Sequence, residues 1–80
     1  MDTRVAIVAI IVENRDSVSD VNSILHEYAD YIIGRFGLPY KEKNMNIISV
    51  VVDAPHDIIS ALSGKIGRLD GIITKTAYSK

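Results

Sequence analysis

The sequence predicts an α+β domain with its elements in the order strand, helix, strand, strand, helix, strand. Three observations predict it. Val and Ile make up 21 of the 80 residues against four Leu, a bias toward the pleated surface where β-branched side chains fit. Two runs, residues 5–12 and 47–52, are apolar almost throughout, as strands buried on both faces are. Between and after them lie two stretches with apolar residues three and four apart, the period of an amphipathic helix.

The first strand, Val5-Ala6-Ile7-Val8-Ala9-Ile10-Ile11-Val12, ends at Glu13. After Glu13-Asn14-Arg15, Asp16 or Ser17 supplies the cap of a helix. Its stripe is Val18, Val21, Leu25 and Tyr28, widened by Ile24, while Asp20, Asn22, His26, Glu27 and Asp30 face water. Ile32 continues the stripe and Gly34 would suit a C-cap, but the strand over residues 46–53 needs a hairpin partner. A turn at 42–45 places that partner at about 33–41 and ends the helix near Tyr31. Gly37 and Pro39 mark it as an edge strand, because Pro cannot donate to a ladder.

Pro55, with Asp53 just ahead and Asp57 in the first turn, opens the second helix, whose stripe is Ile58, Leu62, Ile66 and Leu69. Gly64 and Gly67 each cost it about 1 kcal/mol relative to Ala and mark fraying or close packing. Asp70-Gly71 makes the turn into a last strand over 72–78, polar on one face and a second edge. This order is that of the ferredoxin-like βαββαβ fold: an antiparallel four-stranded sheet with two helices on one face. Right-handed crossovers put the first and third strands at its centre. The other face then exposes alternate central residues such as Ile7, Ala9 and Ile11. A monomer rarely leaves so much apolar surface wet, so a homo-oligomer, dimer or tetramer, is expected to close over this sheet face.

Composition excludes several functions. Eighty residues make one domain, 1–80, and the absence of Cys removes disulfides, thiolate metal sites and a Cys nucleophile. A net charge of -1 with no block of like charges leaves no footprint for direct nucleic-acid binding or an anionic membrane. The longest apolar stretch, 8 residues, is too short to span a bilayer, and a soluble cytoplasmic protein is expected.

Catalytic groups are also sparse. His26 and His56, the near-neutral bases, fall on different helices. His26 and Asp30 lie one turn apart, but two ligands do not make a metal site. The serines have no His and acid in a triad arrangement. Ser63-Gly64-Lys65 lacks the upstream Gly and the strand-to-helix setting of a phosphate loop. No catalytic residue, no metal and no cofactor are therefore expected. Tyr28, Tyr31, Phe36, Tyr40 and Tyr78 all avoid the central strands, unlike the aromatics of an RNA-recognition sheet. The most directed polar cluster is Glu13-Asn14-Arg15 with Arg35, so Asn14, Arg15 and Arg35 are the candidate effector-binding residues; the competing reading pairs both arginines with surface carboxylates.

Three segments carry a resemblance: residues 34–43 (GRFGLPYKEK), 46–55 (NIISVVVDAP) and 59–67 (ISALSGKIG), with Gly71 and Lys75-Thr76. The chain resembles the small regulators assigned to the iron-only hydrogenase system, a bacterial family of stand-alone ACT-like domains. The resemblance covers nearly the whole chain and implies a ferredoxin-like fold, association through the sheets and a regulatory role. Residues 26–52 are also similar to the ACT-like, tetrameric C-terminal domain of nickel-responsive regulators. Phe36, Gly37, Leu38, Pro39 and Met45 stand where that family's nickel ligands would fall, and its DNA-binding ribbon-helix-helix has no counterpart. Glu13-Asn14-Arg15-Asp16 replaces the Gly-containing loop common to amino-acid-binding ACT domains.

The expected function is that of a non-catalytic regulatory domain that self-associates and binds a small effector or a protein partner at subunit interfaces near Asn14, Arg15 and Arg35. The alternatives are a small enzyme with Tyr40 or His26 as proton carrier, or a subunit that binds a protein partner only. If nucleic acid is no ligand, duplex DNA and single-stranded RNA will both run unshifted with the protein in a gel mobility assay at low salt; a salt-sensitive shift would refute this.

Overall fold

The computed structural model describes residues 2–79. Its elements are β1 (Arg4–Val12), α1 (Val18–Glu27), β2 (Ile32–Tyr40), β3 (Met45–Ala54), α2 (His56–Gly67) and β4 (Ile72–Tyr78), with single 3-10 turns at Arg15–Ser17, Ala29–Tyr31 and Lys41–Lys43. The strands form one antiparallel sheet in the order β2-β3-β1-β4, so the two apolar runs lie at its centre and the fold is ferredoxin-like.

Register divides the central side chains between two environments. Ala6, Val8 and Ile10 lie opposite Val52, Val50 and Ile48, and all six are buried beneath the helices. Against them pack Val21, Leu25 and Tyr28 from the α1 side and Ile59, Leu62 and Ile66 from α2. Removing each such Ile or Leu from water contributes roughly 1.5–3 kcal/mol. The intervening residues, Ile7 opposite Val51 and Ile11 opposite Ile47, point to the other face, which no element covers. The continuous apolar runs therefore do not mean burial on both faces within this chain: Ile7 keeps 46% of its surface exposed.

Local chemistry moves several boundaries. The α-helical part of α1 stops at Glu27, and a separate 3-10 turn carries the chain to Tyr31. Ser17 occupies the N-cap position of α1 without capping it, because its backbone is already helical as part of the preceding turn. Its hydroxyl instead donates to the Asp70 carbonyl at 2.7 Å. The β2–β3 turn begins one residue earlier than the sequence suggests, at Lys41, and Asn44 completes it in the left-handed region with φ 53°. A register shift between Ile32 and Gly34 puts an irregularity at Ile33. Ile59, outside the expected stripe of α2, is fully buried, whereas Ile58 is only partly so.

The helix glycines differ in kind. Gly64 has open space where a Cβ would stand, but a Cβ on Gly67 would lie 3.1 Å from Thr74 Cγ2, so Gly67 lets α2 approach β4. Lys65 fastens the two helices at the surface, where its ammonium donates to Glu27 at 3.3 Å and lies 5.2 Å from the Tyr28 ring centroid. Tyr28 and Glu27 hold that ammonium above its ordinary pKa.

A close junction joins the end of β1 to the start of β4. Glu13 N–H donates to the Gly71 carbonyl at 2.7 Å, and Asn14 Nδ2 donates to Asp70 Oδ2 at 2.7 Å. Gly71 has φ 69°, and a Cβ there would sit 2.5 Å from Asn14 Cβ and 2.8 Å from Asn14 N. Gly71→Ala thus meets left-handed strain of about 1–2 kcal/mol together with overpacking of about 1–3 kcal/mol, for a loss of roughly 2–5 kcal/mol in urea unfolding. A loss below about 1 kcal/mol would show that the junction yields freely.

Candidate functional site

Among the described residues, two concavities border the edge strand β2. The first, about 340 Å3, is lined by Arg15, Tyr40, Lys41, Asn44, Met45 and Asn46 together with Pro39. It lies where the loop after β1 faces the β2–β3 turn. Arg15 Nη1 donates to Asn44 Oδ1 at 3.4 Å and so links the two segments. The left-handed backbone of Asn44, closed by its N–H to the Lys41 carbonyl at 3.1 Å, fixes the turn that presents this amide. The second concavity, about 370 Å3, lies between α1 and β2 and is lined by Asn22, Leu25, His26, Ala29, Ile32 and Arg35. Here Arg35 Nη2 donates to Asn22 Oδ1 at 2.6 Å.

The three residues singled out from the sequence are therefore not gathered into one site. Asn14 is committed to the fold: its Oδ1 accepts from Asp16 N–H at 3.0 Å while its Nδ2 holds Asp70. Arg15 lines the first concavity and Arg35 the second. Arg35 and Tyr40 are five positions apart along β2, roughly 16 Å at about 3.3 Å per residue. Neither arginine pairs with a carboxylate. Among the described residues the one ion pair is Lys65 with Glu27, and both arginines donate instead to neutral Asn side chains, which leave their charge uncompensated.

Lys41, Asn44 and Asn46 were legible only as turn and strand residues, since nothing in the sequence brings the loop after β1 against this hairpin. The two proton-carrier candidates also separate: Tyr40 lines the first concavity and His26 the second. The exposed His56 stacks its ring on Tyr78 at 5.1 Å, with the Arg4 guanidinium 5.9 Å from the same Tyr78 ring. Among the described residues no three His, Cys, Asp or Glu side chains group as metal ligands, and no helix is long and apolar enough to cross a membrane.

The uncovered sheet face carries a continuous row of exposed apolar side chains. Along β2, Phe36, Leu38 and Tyr40 share it with Ile7 and Ile11 of β1, Ile47 and Val51 of β3 and Ile73 of β4. Phe36 is 57% exposed, and Leu38 and Ile73 more than 40%. Its charges, Asp53 and Lys75, stand at the end of β3 and on the edge strand β4.

These features define a small ferredoxin-like α+β domain with a bare apolar sheet face and two polar concavities beside it. Residues 4–76 match the TM1266-like family, described as "Iron-only hydrogenase system regulator, putative", and the chain belongs to that family. The solved structure of uncharacterized protein TM1266 from Thermotoga maritima is similar over 99% of this chain and 100% of that one, with 38% identity and a TM-score of 0.94. A formyltetrahydrofolate deformylase from Pseudomonas putida KT2440 is similar at 15% identity and a TM-score of 0.67, covering 91% of this chain but 28% of the enzyme. An unknown protein from Galdieria sulphuraria also scores 0.67, at 17% identity over 99% of this chain and 46% of that one. These last two likenesses concern the fold alone. No curated protein matches.

The left-handed turn gives a direct test of how the first concavity is shaped. Asn44→Gly should leave thermal stability nearly unchanged, since Gly adopts the same backbone without penalty. Asn44→Ala should cost about 1 kcal/mol and loosen Arg15, read as loss of order in the Arg15 Nε–H signal by NMR. Equal stability of the two variants would show that the turn carries no strain.

Proposed function

We propose that the protein is a non-catalytic, ACT-like regulatory domain of the iron-only hydrogenase system that acts as a homo-oligomer and responds to a small effector. The observation that carries this reading is the bare sheet face. Four strands about 4.8 Å apart, some nine residues long at roughly 3.3 Å each, make a face of roughly 19 by 30 Å, or about 570 Å2. Two copies packed face to face would bury about 1,100 Å2, just above the approximate 1,000 Å2 expected of a specific interface. The face is apolar at its centre and charged at its margins, as interfaces are. Family membership supports the regulatory role.

A regulator built this way needs no catalytic group of its own. Effector contacts fall to Arg15 and Arg35, whose guanidinium groups are oriented by amides without being neutralised. Both concavities border β2, whose alternate residues belong to the open face. An effector held there would alter the strand that a second copy touches, and its differential affinity for the free and assembled states would set the size of the response.

Sedimentation velocity at tens of micromolar tests the reading. The native chain is expected to sediment as a dimer or larger species. Ile7→Lys, which places a charge at the centre of the open face without touching the helix-side core, should sediment as a monomer with an unchanged far-UV circular dichroism spectrum. A native chain that stays monomeric throughout this range would overturn it.

A further inference from the structure

We infer that the concavity between the loop after β1 and the β2–β3 turn is a binding site for a small multivalent oxyanion. The inference deepens the regulatory reading, on which it rests only in taking the bound molecule to be the effector. Four polar side chains in the lining can donate a hydrogen bond into it, the Arg15 guanidinium, the Lys41 ammonium and the Asn44 and Asn46 amides, whereas the Tyr40 hydroxyl donates to the Glu42 carboxylate. No carboxylate lines it. Glu42, whose carboxylate lies 3.5 Å from the Tyr40 hydroxyl, is outside the lining, and neither Arg15 nor Lys41 has an ion-pair partner among the described residues.

Two uncompensated cations held over one concavity repel each other, and an anion between them removes that cost while gaining charge-assisted hydrogen bonds. The arrangement also supplies complementary parts. Arg15 offers a planar fork of donors, Lys41 a point charge, and two amides add neutral donors, Asn44 from the left-handed turn and Asn46 from the start of β3. At about 340 Å3 the volume lies at the small end of ligand sites, which suits a metabolite-sized anion better than a nucleotide. Tyr40 and its register partner Met45 form the wall toward the open sheet face, so the site stands at the rim of the surface assigned to self-association.

The shared ligand chemistry is an oxyanion carrying at least two negative charges, which either a phosphate group or a polycarboxylate provides. Amide NMR titrations of the full chain with inorganic phosphate and with citrate, at constant ionic strength, separate the two. Saturable shifts are expected at Lys41, Asn44 and Asn46 with one or both probes. Saturation by phosphate alone assigns a phosphate-bearing ligand, and by citrate alone a polycarboxylate. Arg15→Gln and Lys41→Gln should each weaken binding about tenfold, whereas Lys65→Gln, at the α1–α2 contact, should leave it unchanged. Shifts that never saturate, or that fall equally in all three variants, would overturn the site. Repeating the titration on Ile7→Lys keeps the two readings apart: saturable binding to that variant upholds the site whatever the fate of the oligomer, and loss of saturable binding there and in the native chain refutes the site without touching the oligomer.

Discussion

Two helices can cover only one side of a four-stranded sheet, and that imbalance governs the rest of this molecule. On the covered side, Ala6, Val8, Ile10 and Val12 interlock with Ile48, Val50 and Val52 under Leu25, Ile59, Leu62 and Ile66, and no charged group enters. On the other side the same strands present residues of the same kind to solvent. The side-chain period of two makes the choice of register decisive, yet here hydrophobicity alone does not choose between faces. Size does part of that work: small Ala9 and Ser49 oppose each other on the open face, whereas Val8 opposite Val50 and Ile10 opposite Ile48 fill the covered one. The polar row Thr74 and Thr76 lies on the covered face of β4, where Gly67 draws α2 close enough for Thr74 to be enclosed.

The polar chemistry has been moved to the ends of strands and to the edge at β2. Asn14, Asp70, Gly71 and Ser17 are absorbed in tying the loop after β1 to the turn before β4. That junction leaves Arg15, the next residue, projecting toward Asn44 with its charge unspent. The arginines thereby differ from the common surface pattern of loosely paired, salt-screened ions. Their partners are neutral, so orientation is achieved without losing attraction for an incoming anion. This is the arrangement expected of recognition groups more than of groups that merely solvate a surface.

Most of the fold was legible in the sequence because its signals are local. The β-branched runs, the helical spacing of Val21, Leu25 and Tyr28, and Asp70-Gly71 each specify their own element, and β4 begins and ends where the run 72–78 does. The misses are places where a tertiary contact overrules a local preference. Ser17 forgoes capping because the Asp70 carbonyl is within reach, and Asn44 turns left-handed one residue before Met45 enters β3. The candidate site was legible only in its charges. Arg15 and Arg35 stood out, but their separation into two concavities and the contribution of Lys41, Asn44 and Asn46 depend on how the hairpin lies across the loop. Asn14 beside Arg15 at a strand end has recognition chemistry in sequence, and in the fold its amide bonds to Asp70, far away in sequence, and to the Asp16 N–H.

The strand order β2-β3-β1-β4 also bears on how the chain reaches this state. Only β2 and β3 are neighbours both in sequence and in the sheet, joined by the short turn that ends at Asn44. A hairpin of this kind closes in about 1–10 µs, whereas β1 can join β3 and β4 only after much longer loops are closed. The order of events is thus biased toward the hairpin first and the central pair later. Until β1 arrives, the helix-side edge residues Val50 and Val52 and the bare row at Phe36 and Leu38 are wet together, which makes the nascent hairpin the most adhesive species on the route. Pro39, lacking an N–H on the outer strand, interrupts the ladder that a second such hairpin would need to extend it, and so acts as a kinetic gatekeeper as well as an edge marker.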